Sequence, residues 1–380
     1  MKTVYLDYAA TSFPKPPEVP AQMLRYLSEV GATVNRSVYG AAQAAGLVEL
    51  TLRQRLCRLF HFAPVTHAVL TPGNTWGLNL LLAGLLRPGD HCVVSSMEHN
   101  AVMRPLQALA RQGVTFTRVA CDGTGRLEPK DVEAALRPDT RLVVLAHGSN
   151  VSGTVQDAAA VGDICRRHGI PFCLDAAQTA GHIPVDFAAL GLSALSVPGH
   201  KGLLGPSGIG ALLLTPELAA QLTPIVSGGT GSASDSEEIP PYMPDRFEPG
   251  TPNVPGIYGL EAALAFLEQT GVEAVAAHDR LLTVRFLEGI RGVPGVRIVG
   301  PDTPEGRVGV VSLDFPGRDN AEVAEALECR FGILTRCGLH CAPAAHQTLG
   351  TFPRGTVRFS WGWFSTEGDI DQALEAVRSV

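Results

Sequence analysis

The sequence lacks long runs of any one kind of residue. Its longest apolar stretch, around 78–86, is interrupted by Asn79 and Gly84 and is far shorter than the roughly 20 residues of a membrane-spanning helix. The first dozen residues carry neither the apolar core nor the small-residue cleavage site of a signal peptide. We therefore expect a cytoplasmic protein that does not associate with membranes.

Blocks of like charge and a disulfide pattern are also missing. The formal net charge of −7 is spread without single-sign runs, which argues against nucleic acid as a partner. The eight cysteines are few for 380 residues, and most lie in apolar runs such as those around Cys92 and Cys173. We expect them to be reduced core residues, and we expect small molecules and proteins as partners.

What is present is an alternation of strand and helix patterns. Helical periodicity at 100–112 and 157–168 separates short apolar runs. This alternation predicts an α/β fold with a mostly parallel, doubly wound seven-stranded sheet. The seven strand-like runs lie at 67–71, 91–95, 115–119, 142–146, 171–174, 193–197 and 209–214.

The composition changes at 228–255, where Gly, Ser, Pro and acidic residues without periodicity predict a long loop. Two helical patterns follow within 256–290, then strand-like segments, a helix over 319–331 and a last helix from Thr366. Interleaving of this kind is typical of a smaller α+β domain.

The length and the 45% hydrophobic content are enough for two cores. We therefore predict a large domain over 15–255 and a small C-terminal domain over 256–380. The segment 1–14 is expected to pack on one of them.

Lys201 is the first candidate for chemistry, because it stands alone between glycine-rich turns directly after the strand-like run 193–197. Its neighbours are His200 and the apolar Leu203 and Leu204. Such surroundings lower the pKa of an amine enough to allow a Schiff base. The alternative is a solvated loop lysine.

Polar residues also follow other strands. Asp175 ends an apolar strand, where doubly wound sheets bind ligands, and a buried carboxylate there needs a cation such as a protonated pyridine nitrogen. Asn74 and Thr75 open a helix, which offers N–H groups and a hydroxyl to a phosphate. His99 falls at the same sheet edge, where an imidazole can stack on a ring. Helix caps and a structural histidine are the alternatives.

Taken together, these motifs make the chain resemble a class V, fold-type I pyridoxal-phosphate (PLP) enzyme of the cysteine desulfurase and selenocysteine lyase family, type II-like. The resemblance runs essentially end to end. The motifs that carry it are LDYAAT, TPGNT, MEHN, HGSNVSG, DAAQ, GHKGLLGPSGIG, RFEPGTPN, RCGLHCA and VRFS.

The resemblance implies a PLP site with a specific role for each residue. It also implies a homodimer, because one phosphate ligand comes from the second subunit. The implied roles are the Schiff base for Lys201, the pyridinium partner for Asp175, a hydrogen bond to the ring oxygen for Gln178 with Asn150 nearby, ring stacking for His99, and phosphate binding for Thr75 with Asn74, for His200 and for Thr251 of the second subunit.

The resemblance further implies that Arg358 pairs with the substrate carboxylate, with Asn150 and Arg336 nearby. Cys341 matches the family nucleophile, and Arg336 and His340 are neighbouring cations that favour its thiolate. The alternative is a buried apolar cysteine. We expect no metal, because a second cysteine pair at zinc-site spacing is missing.

The implied reaction converts L-cysteine to L-alanine and leaves a persulfide on Cys341, with His99 donating or accepting a proton. Lysis of L-selenocysteine, a class V aminotransferase or lyase that does not use the thiol, and a catalytically idle PLP-fold binding partner remain open. The acceptor of the sulfur, whether an iron–sulfur scaffold, a sulfur carrier protein or a selenium pathway, is not named by the sequence.

Five positions depart from the family pattern. They are expected to affect cofactor affinity, substrate preference and rate, and to leave the fold unchanged. Pro198 replaces a Ser or Thr that would offer a phosphate hydroxyl, and the others are Tyr39 and Leu339 for His, Cys337 for Thr, and Ser365 for Asn.

Overall fold

A computed structural model describes residues 3–34 and 38–380. The strands of this part of the chain are β1 (Val4–Tyr5), β2 (Ala68–Thr71), β3 (His91–Ser95), β4 (Thr115–Val119), β5 (Thr140–Ala146), β6 (Phe172–Asp175), β7 (Ala194–Pro198), β8 (Gly210–Leu214), β9 (Arg297–Val299), β10 (Val310–Asp314), β11 (Ile333–Leu334), β12 (Arg336–Gly338) and β13 (Thr356–Ser360).

Many of the α-helices of the described residues lie between these strands in the chain. They are α1 (Glu18–Arg25), α2 (Gly40–Leu59), α3 (Asn74–Leu85), α4 (Asn100–Ala110), α5 (Pro129–Ala135), α6 (Ala158–His168), α7 (Pro216–Ala219), α8 (Val254–Thr270), α9 (Val272–Ile290), α10 (Asn320–Phe331), α11 (Pro343–Thr348) and α12 (Glu367–Ser379).

The main sheet has seven strands in the order β2-β8-β7-β6-β5-β3-β4. Strands β3 to β7 pair in parallel, and β8 is antiparallel to both of its neighbours. The predicted α/β fold with a mostly parallel seven-stranded sheet is therefore confirmed.

Both faces of this sheet are buried, which explains its continuous apolar strands. On β3, Val93 belongs to one apolar cluster and Val94 to another, since successive side chains point to opposite faces. Leucines of α3 and α4 pack in the Val94 cluster, while residues of α2, α6 and α8 pack in the Val93 cluster. The sheet is thus doubly wound.

The C-terminal part contains a second, antiparallel sheet in the order β12-β13-β10-β9. Its core is closed by α9, α10 and α12. At the centre lies Trp361, which is 1% exposed and whose indole nitrogen donates to the carbonyl oxygen of Asp279 and the hydroxyl of Thr283, both at 3.2 Å. This sheet carries Arg336 and Arg358, both expected near the substrate.

The N-terminal segment touches both parts of the molecule. Strand β1 pairs with β11, whereas the backbone nitrogen of Ser12 donates to the carbonyl oxygen of His200 at 3.0 Å. Residues 1 and 2 of the predicted segment 1–14 lie outside the described residues. The predicted boundary at 255/256 falls inside α8, which packs in the core of the main sheet, and the division into two domains stays a prediction.

The predicted loop at 228–255 is irregular apart from a 3₁₀ turn at Asp245–Phe247 and the first residues of α8. Helices α1 and α2 were not predicted. No helix among the described residues combines the length and the apolar character that crossing a membrane requires.

Candidate active site

A cavity of about 570 Å³ opens beside the carboxyl ends of the parallel strands. It is lined by residues of the loops that follow β2, β3, β5, β6 and β7, as expected for a doubly wound sheet. Eight of the residues singled out in the sequence line it together, namely Asn74, Thr75, His99, Asn150, Asp175, Gln178, His200 and Lys201.

Asp175 is the acid of this cavity. It is the last residue of β6 and is 4% exposed. Its Oδ1 accepts hydrogen bonds from Nδ2 of Asn74 at 2.8 Å and from the backbone nitrogen of Ala177 at 3.0 Å. Burial nevertheless raises the pKa of Asp175, which the hydrogen bonds only partly offset. A cationic partner in the cavity would stabilise its carboxylate.

Lys201 is the amine of the cavity and follows β7 on the neighbouring loop. Burial and the charge of Arg358 lower its pKa to about 8, against a smaller opposite effect of Asp175. At pH 7 about a tenth of a lysine with such a pKa is neutral, far more than of an ordinary lysine, and the neutral amine is the nucleophilic form.

His200 and the start of α3 form one end of the cavity. Nδ1 of His200 is buried and has no hydrogen-bond partner among the described residues. Helix α3 begins at Asn74, and its first N–H groups lie at the positive end of the helix dipole beside the hydroxyl of Thr75. Pro198 also lines the cavity and adds no donor. This end suits a phosphate.

His99 caps helix α4, because its Nδ1 accepts the backbone N–H of Ala101 at 3.0 Å. That bond leaves the ring proton on Nε2. Burial and the charges of Lys201 and Arg336 lower the pKa of His99 to about 4. The imidazole is therefore neutral at physiological pH.

Gln178 and Asn150 connect the cavity to other segments. Nε2 of Gln178 donates to the carbonyl oxygen of Ala9 at 3.0 Å. Nδ2 of Asn150 donates to the carbonyl oxygen of His340 at 2.7 Å, which ties the β5 loop to the segment that carries Cys341.

Cys341 lies in the turn between β12 and α11 and is exposed. Nη2 of Arg336 is 3.9 Å from its sulfur. The carbonyl oxygen of Cys341 accepts a hydrogen bond from the backbone N–H of Asn100 at 2.8 Å, which places the turn next to His99. His340 and Cys341 both have positive φ, 47° and 58°, a conformation that is uncommon for such residues and often found at functional turns.

Cys337 has a different environment from Cys341, although four positions separate them. It lies on β12 and is partly buried, and burial raises the pKa of its thiol. His340, between the two, is 3% exposed, and burial lowers its pKa to about 2. His340 is thus neutral and does not supply the second cation that the sequence suggested for the Cys341 thiol.

Arg358 does not line the cavity. It lies on β13, and its side chain is 1% exposed. Its Nη2 donates to Oδ1 of Asp7 at 2.6 Å, and its Nη1 donates to the carbonyl oxygen of Asn150 at 3.1 Å. The guanidinium therefore lies directly behind the cavity wall that Asn150 forms.

Thr251 is likewise outside the cavity. It is exposed in the segment just before α8.

Three further contributors were not identified from the sequence. Ser196 donates to Oδ1 of Asn74 at 2.6 Å, Asp7 pairs with Arg358, and Trp76 lines the cavity. Asp7 belongs to the LDYAAT motif, so the motif could have drawn attention to it. No local sequence pattern indicates its contact with Arg358, which is 351 positions away.

The residues present fit PLP. The buried acid Asp175 suits a protonated ring nitrogen, and the amine of Lys201 suits an aldehyde. The buried Nδ1 of His200 is left without a partner at the end of the cavity where α3 begins, which suits a phosphate. The volume and the donor set thus match a phosphorylated pyridine aldehyde.

Comparison with known proteins agrees with this geometry. Residues 4–373 match the model of the class-V aminotransferase family. A probable cysteine desulfurase of Methanothermobacter thermautotrophicus is 32% identical over 99% of this chain and 94% of its own length. Another, from Halalkalibacterium halodurans, is 31% identical over 99% and 93%.

Solved structures show the same relationship. The apo cysteine desulfurase from Thermococcus onnurineus superimposes with a TM-score of 0.93 at 31% identity, covering 99% of this chain and 94% of that one. The cysteine desulfurase CsdA (S-sulfonic acid) from Escherichia coli gives 0.87 at 28% identity, with the same coverage. The predicted family and cofactor are confirmed: this chain belongs to the class-V aminotransferase family and is a PLP-dependent enzyme of its cysteine desulfurase group.

Proposed function

We propose that this enzyme converts L-cysteine to L-alanine and receives the sulfur on Cys341. The observation that carries the proposal is the position of the Cys341 turn. This exposed thiol lies beside a guanidinium, and its backbone is hydrogen-bonded to the start of α4, next to His99 of the cavity. The similarity to cysteine desulfurases supports the same substrate.

Within the cavity, Lys201 would hold PLP through its amine, Asp175 its ring nitrogen and Gln178 its ring oxygen. His99 would lie against the ring, and Thr75, Asn74 and His200 would hold the phosphate. When bound, PLP supplies an aldehyde for the substrate amine and a ring that accepts electrons from the α-carbon.

The side chains of the chain then have defined tasks. Nζ of Lys201 removes the proton from the α-carbon, for which its lowered pKa is suited. Arg358 orients the substrate carboxylate, with Asn150 and Arg336 at the same end. Arg336 brings its guanidinium beside the sulfur of Cys341, with Nη2 at 3.9 Å. His99, neutral with its proton on Nε2, would donate a hydrogen bond from that nitrogen to the reacting groups.

The sulfur transfer balances without an added oxidant. The thiolate of Cys341 attacks the sulfur of the substrate, an S–S bond forms, and the carbon–sulfur bond breaks. The electrons of the broken bond stay with carbon, which takes up one proton and becomes the methyl group of alanine. The products are L-alanine and a persulfide on Cys341.

We also propose that the site is completed in a homodimer by Thr251 of a second copy. Thr251 is exposed, and the stretch of chain before it carries exposed apolar side chains. They are Ile225, Val226, Ile239 and Tyr242. Exposed apolar side chains are a feature of protein interfaces. Light scattering that reports a monomer, or a Thr251→Ala enzyme with unchanged PLP affinity, would contradict this arrangement.

A protein that accepts the sulfur fits the exposure of Cys341, since a persulfide on the surface is open to attack by an external thiol. The eight free cysteines also fit a reducing compartment. We accordingly keep the cytoplasm as the proposed location.

The test measures alanine and sulfide released from L-cysteine under a thiol reductant. Wild-type enzyme is compared with Cys341→Ala and with Cys329→Ala, which removes another exposed cysteine. Loss of turnover in the first variant alone supports the proposal. If both variants keep full activity, the thiol-independent aminotransferase or lyase takes its place. If Cys341→Ala loses cysteine turnover but keeps selenocysteine turnover, the thiol is required for sulfur only.

A further inference from the structure

The guanidinium of Arg358 is occupied by a carboxylate of its own chain. Nη2 of Arg358 lies 2.6 Å from Oδ1 of Asp7, in a pair whose arginine side chain is 1% exposed and whose aspartate side chain is 21% exposed. A buried guanidinium without an anion is costly. Asp7 therefore stabilises Arg358 as long as no other anion is present.

The segment that carries Asp7 is held firmly. The backbone nitrogen of Ser360 donates to the carbonyl oxygen of Leu6 at 2.8 Å, next to a β-bridge between Asp7 and Ser360. The hydroxyl of Tyr5 lies within hydrogen-bond distance of the carbonyl oxygens of Asp7, at 3.2 Å, and of Thr11, at 2.9 Å. The pairing with Arg358 is thus built into the fold.

The remaining sides of Arg358 are closed as well. Nη1 donates to the carbonyl oxygen of Asn150 at 3.1 Å, and Nε is buried without a partner among the described residues. Asn150 lines the cavity, whereas Arg358 does not. A carboxylate that enters from the cavity reaches the guanidinium only when a present contact gives way. Of these contacts, the one with Asp7 can give way, because the Asp7 side chain is partly exposed and can turn towards solvent.

We propose that Asp7 is an internal competitor of the substrate, a carboxylate that occupies the Arg358 guanidinium and is displaced by the carboxylate of the bound amino acid. This rests on the proposed role of Arg358 in substrate binding. Displacement of Asp7 subtracts from the substrate's binding free energy, so Asp7 limits affinity. It also keeps Arg358 paired and in place between turnovers.

The test measures equilibrium binding of L-alanine to the holoenzyme, followed by the change in cofactor absorption. Ethylamine, which has an amine but no carboxylate, is the matched ligand. In Asp7→Asn, the Kd of L-alanine is expected to fall about tenfold, because binding no longer breaks a charge-assisted pair. The Kd of ethylamine should change by less than about twofold. An alanine Kd that rises or stays constant, or an equal change for both ligands, overturns the proposal.

Tyr5→Phe decides the matter if Asp7→Asn does not fold. This variant keeps the charge of Asp7 but removes the hydroxyl that contacts the carbonyl oxygens of Asp7 and Thr11. The segment that carries Asp7 is then held less firmly, so Asp7 is displaced more easily. The Kd of L-alanine should fall by a smaller factor, about two- to threefold, with ethylamine unchanged. A constant or raised alanine Kd contradicts the proposal.

Both measurements are repeated in a Cys341→Ala background, where sulfur transfer is not involved. If the Asp7 effect persists although Cys341 proves dispensable for cysteine turnover, only the desulfurase proposal fails. If desulfuration depends on Cys341 but alanine binding ignores Asp7, only the present inference fails.

Discussion

Asn74, the first residue of α3, and Asp175, the last residue of β6, are joined by a hydrogen bond of 2.8 Å from Nδ2 of Asn74 to Oδ1 of Asp175. The amide is itself fixed, because the hydroxyl of Ser196 donates to its Oδ1 at 2.6 Å. A chain of three side chains therefore orients the carboxylate that is proposed to hold the ring nitrogen of PLP.

Replacing Asn74 should weaken cofactor binding. Asn74→Ala leaves Oδ1 of Asp175 with one donor in a buried place and removes a side chain from the cavity, so the Kd of PLP should rise about tenfold. Ser196→Ala removes only the contact behind Asn74 and should give a smaller rise. Titration of the apoenzyme with PLP, followed by absorption, measures both. Equal affinities in all three proteins would show that Asp175 is oriented by other contacts.

Much of the fold was predictable because its strands and several of its helices are marked by patterns within short stretches of sequence. Each parallel strand is a short apolar run, and helices such as α4 and α6 show clear periodicity. The loop residues that follow these strands meet at one edge for topological reasons. This is why Asp175, His99 and Lys201 could be placed in one site from sequence alone.

Helix α2 was not predicted because its buried face includes charges. Glu49 and Arg53 are both about 5% exposed and pair with each other, and Arg53 also pairs with Glu248 at 2.6 Å. Two ionic residues on the inner face break the apolar period on which recognition of a helix depends. Their partner lies 195 positions away, so no local pattern explains them.

Lys201 should destabilise the apoenzyme at neutral pH. Its pKa falls from 10.5 unfolded to about 8 folded, so between these values the unfolded chain binds more protons and stability rises with pH. Lys201→Met should therefore be more stable than wild-type apoenzyme at pH 7, by up to about 3 kcal/mol. The difference should shrink as the pH approaches 10.

Chemical denaturation of both apoproteins at pH 7, 8.5 and 10 measures this difference. Lys130→Met, which removes an exposed amine, controls for the loss of one positive charge. A gap between Lys201→Met and wild type that does not change with pH would show that the amine is not desolvated.

Arg336 should accelerate the reaction of Cys341 with alkylating reagents. Its Nη2 is 3.9 Å from the sulfur, and a positive charge at that distance attracts the negative charge of the sulfur as it attacks. Arg336→Met should therefore slow alkylation of Cys341 by iodoacetamide at pH 7 severalfold. Peptide mass spectrometry resolves the sites, and the exposed Cys329 of the same protein serves as the reference. An unchanged ratio of the two rates would exclude this role of Arg336.

Buried histidines should make the protein sensitive to acid. His346 is fully buried, its Nδ1 lies 2.7 Å from the hydroxyl of Thr351, and burial lowers its pKa from 6.5 to about 4. Below pH 6.5 the unfolded chain protonates this residue and the folded protein does not, so stability falls as the pH drops towards 4. The contribution reaches about 1.4 kcal/mol per pH unit.

His346→Gln keeps a side chain able to hydrogen-bond to Thr351 but cannot titrate. The slope of unfolding free energy against pH, measured between pH 6.5 and 4.5, should therefore be lower than in wild type by up to one proton. Gln347→Ala, at an exposed neighbouring position with no ionisable group, should keep the wild-type slope. If the slope of unfolding free energy against pH were the same in all three proteins, His346 would take up its proton as readily in the folded protein as in the unfolded chain. That result would contradict the effect of burial on its pKa.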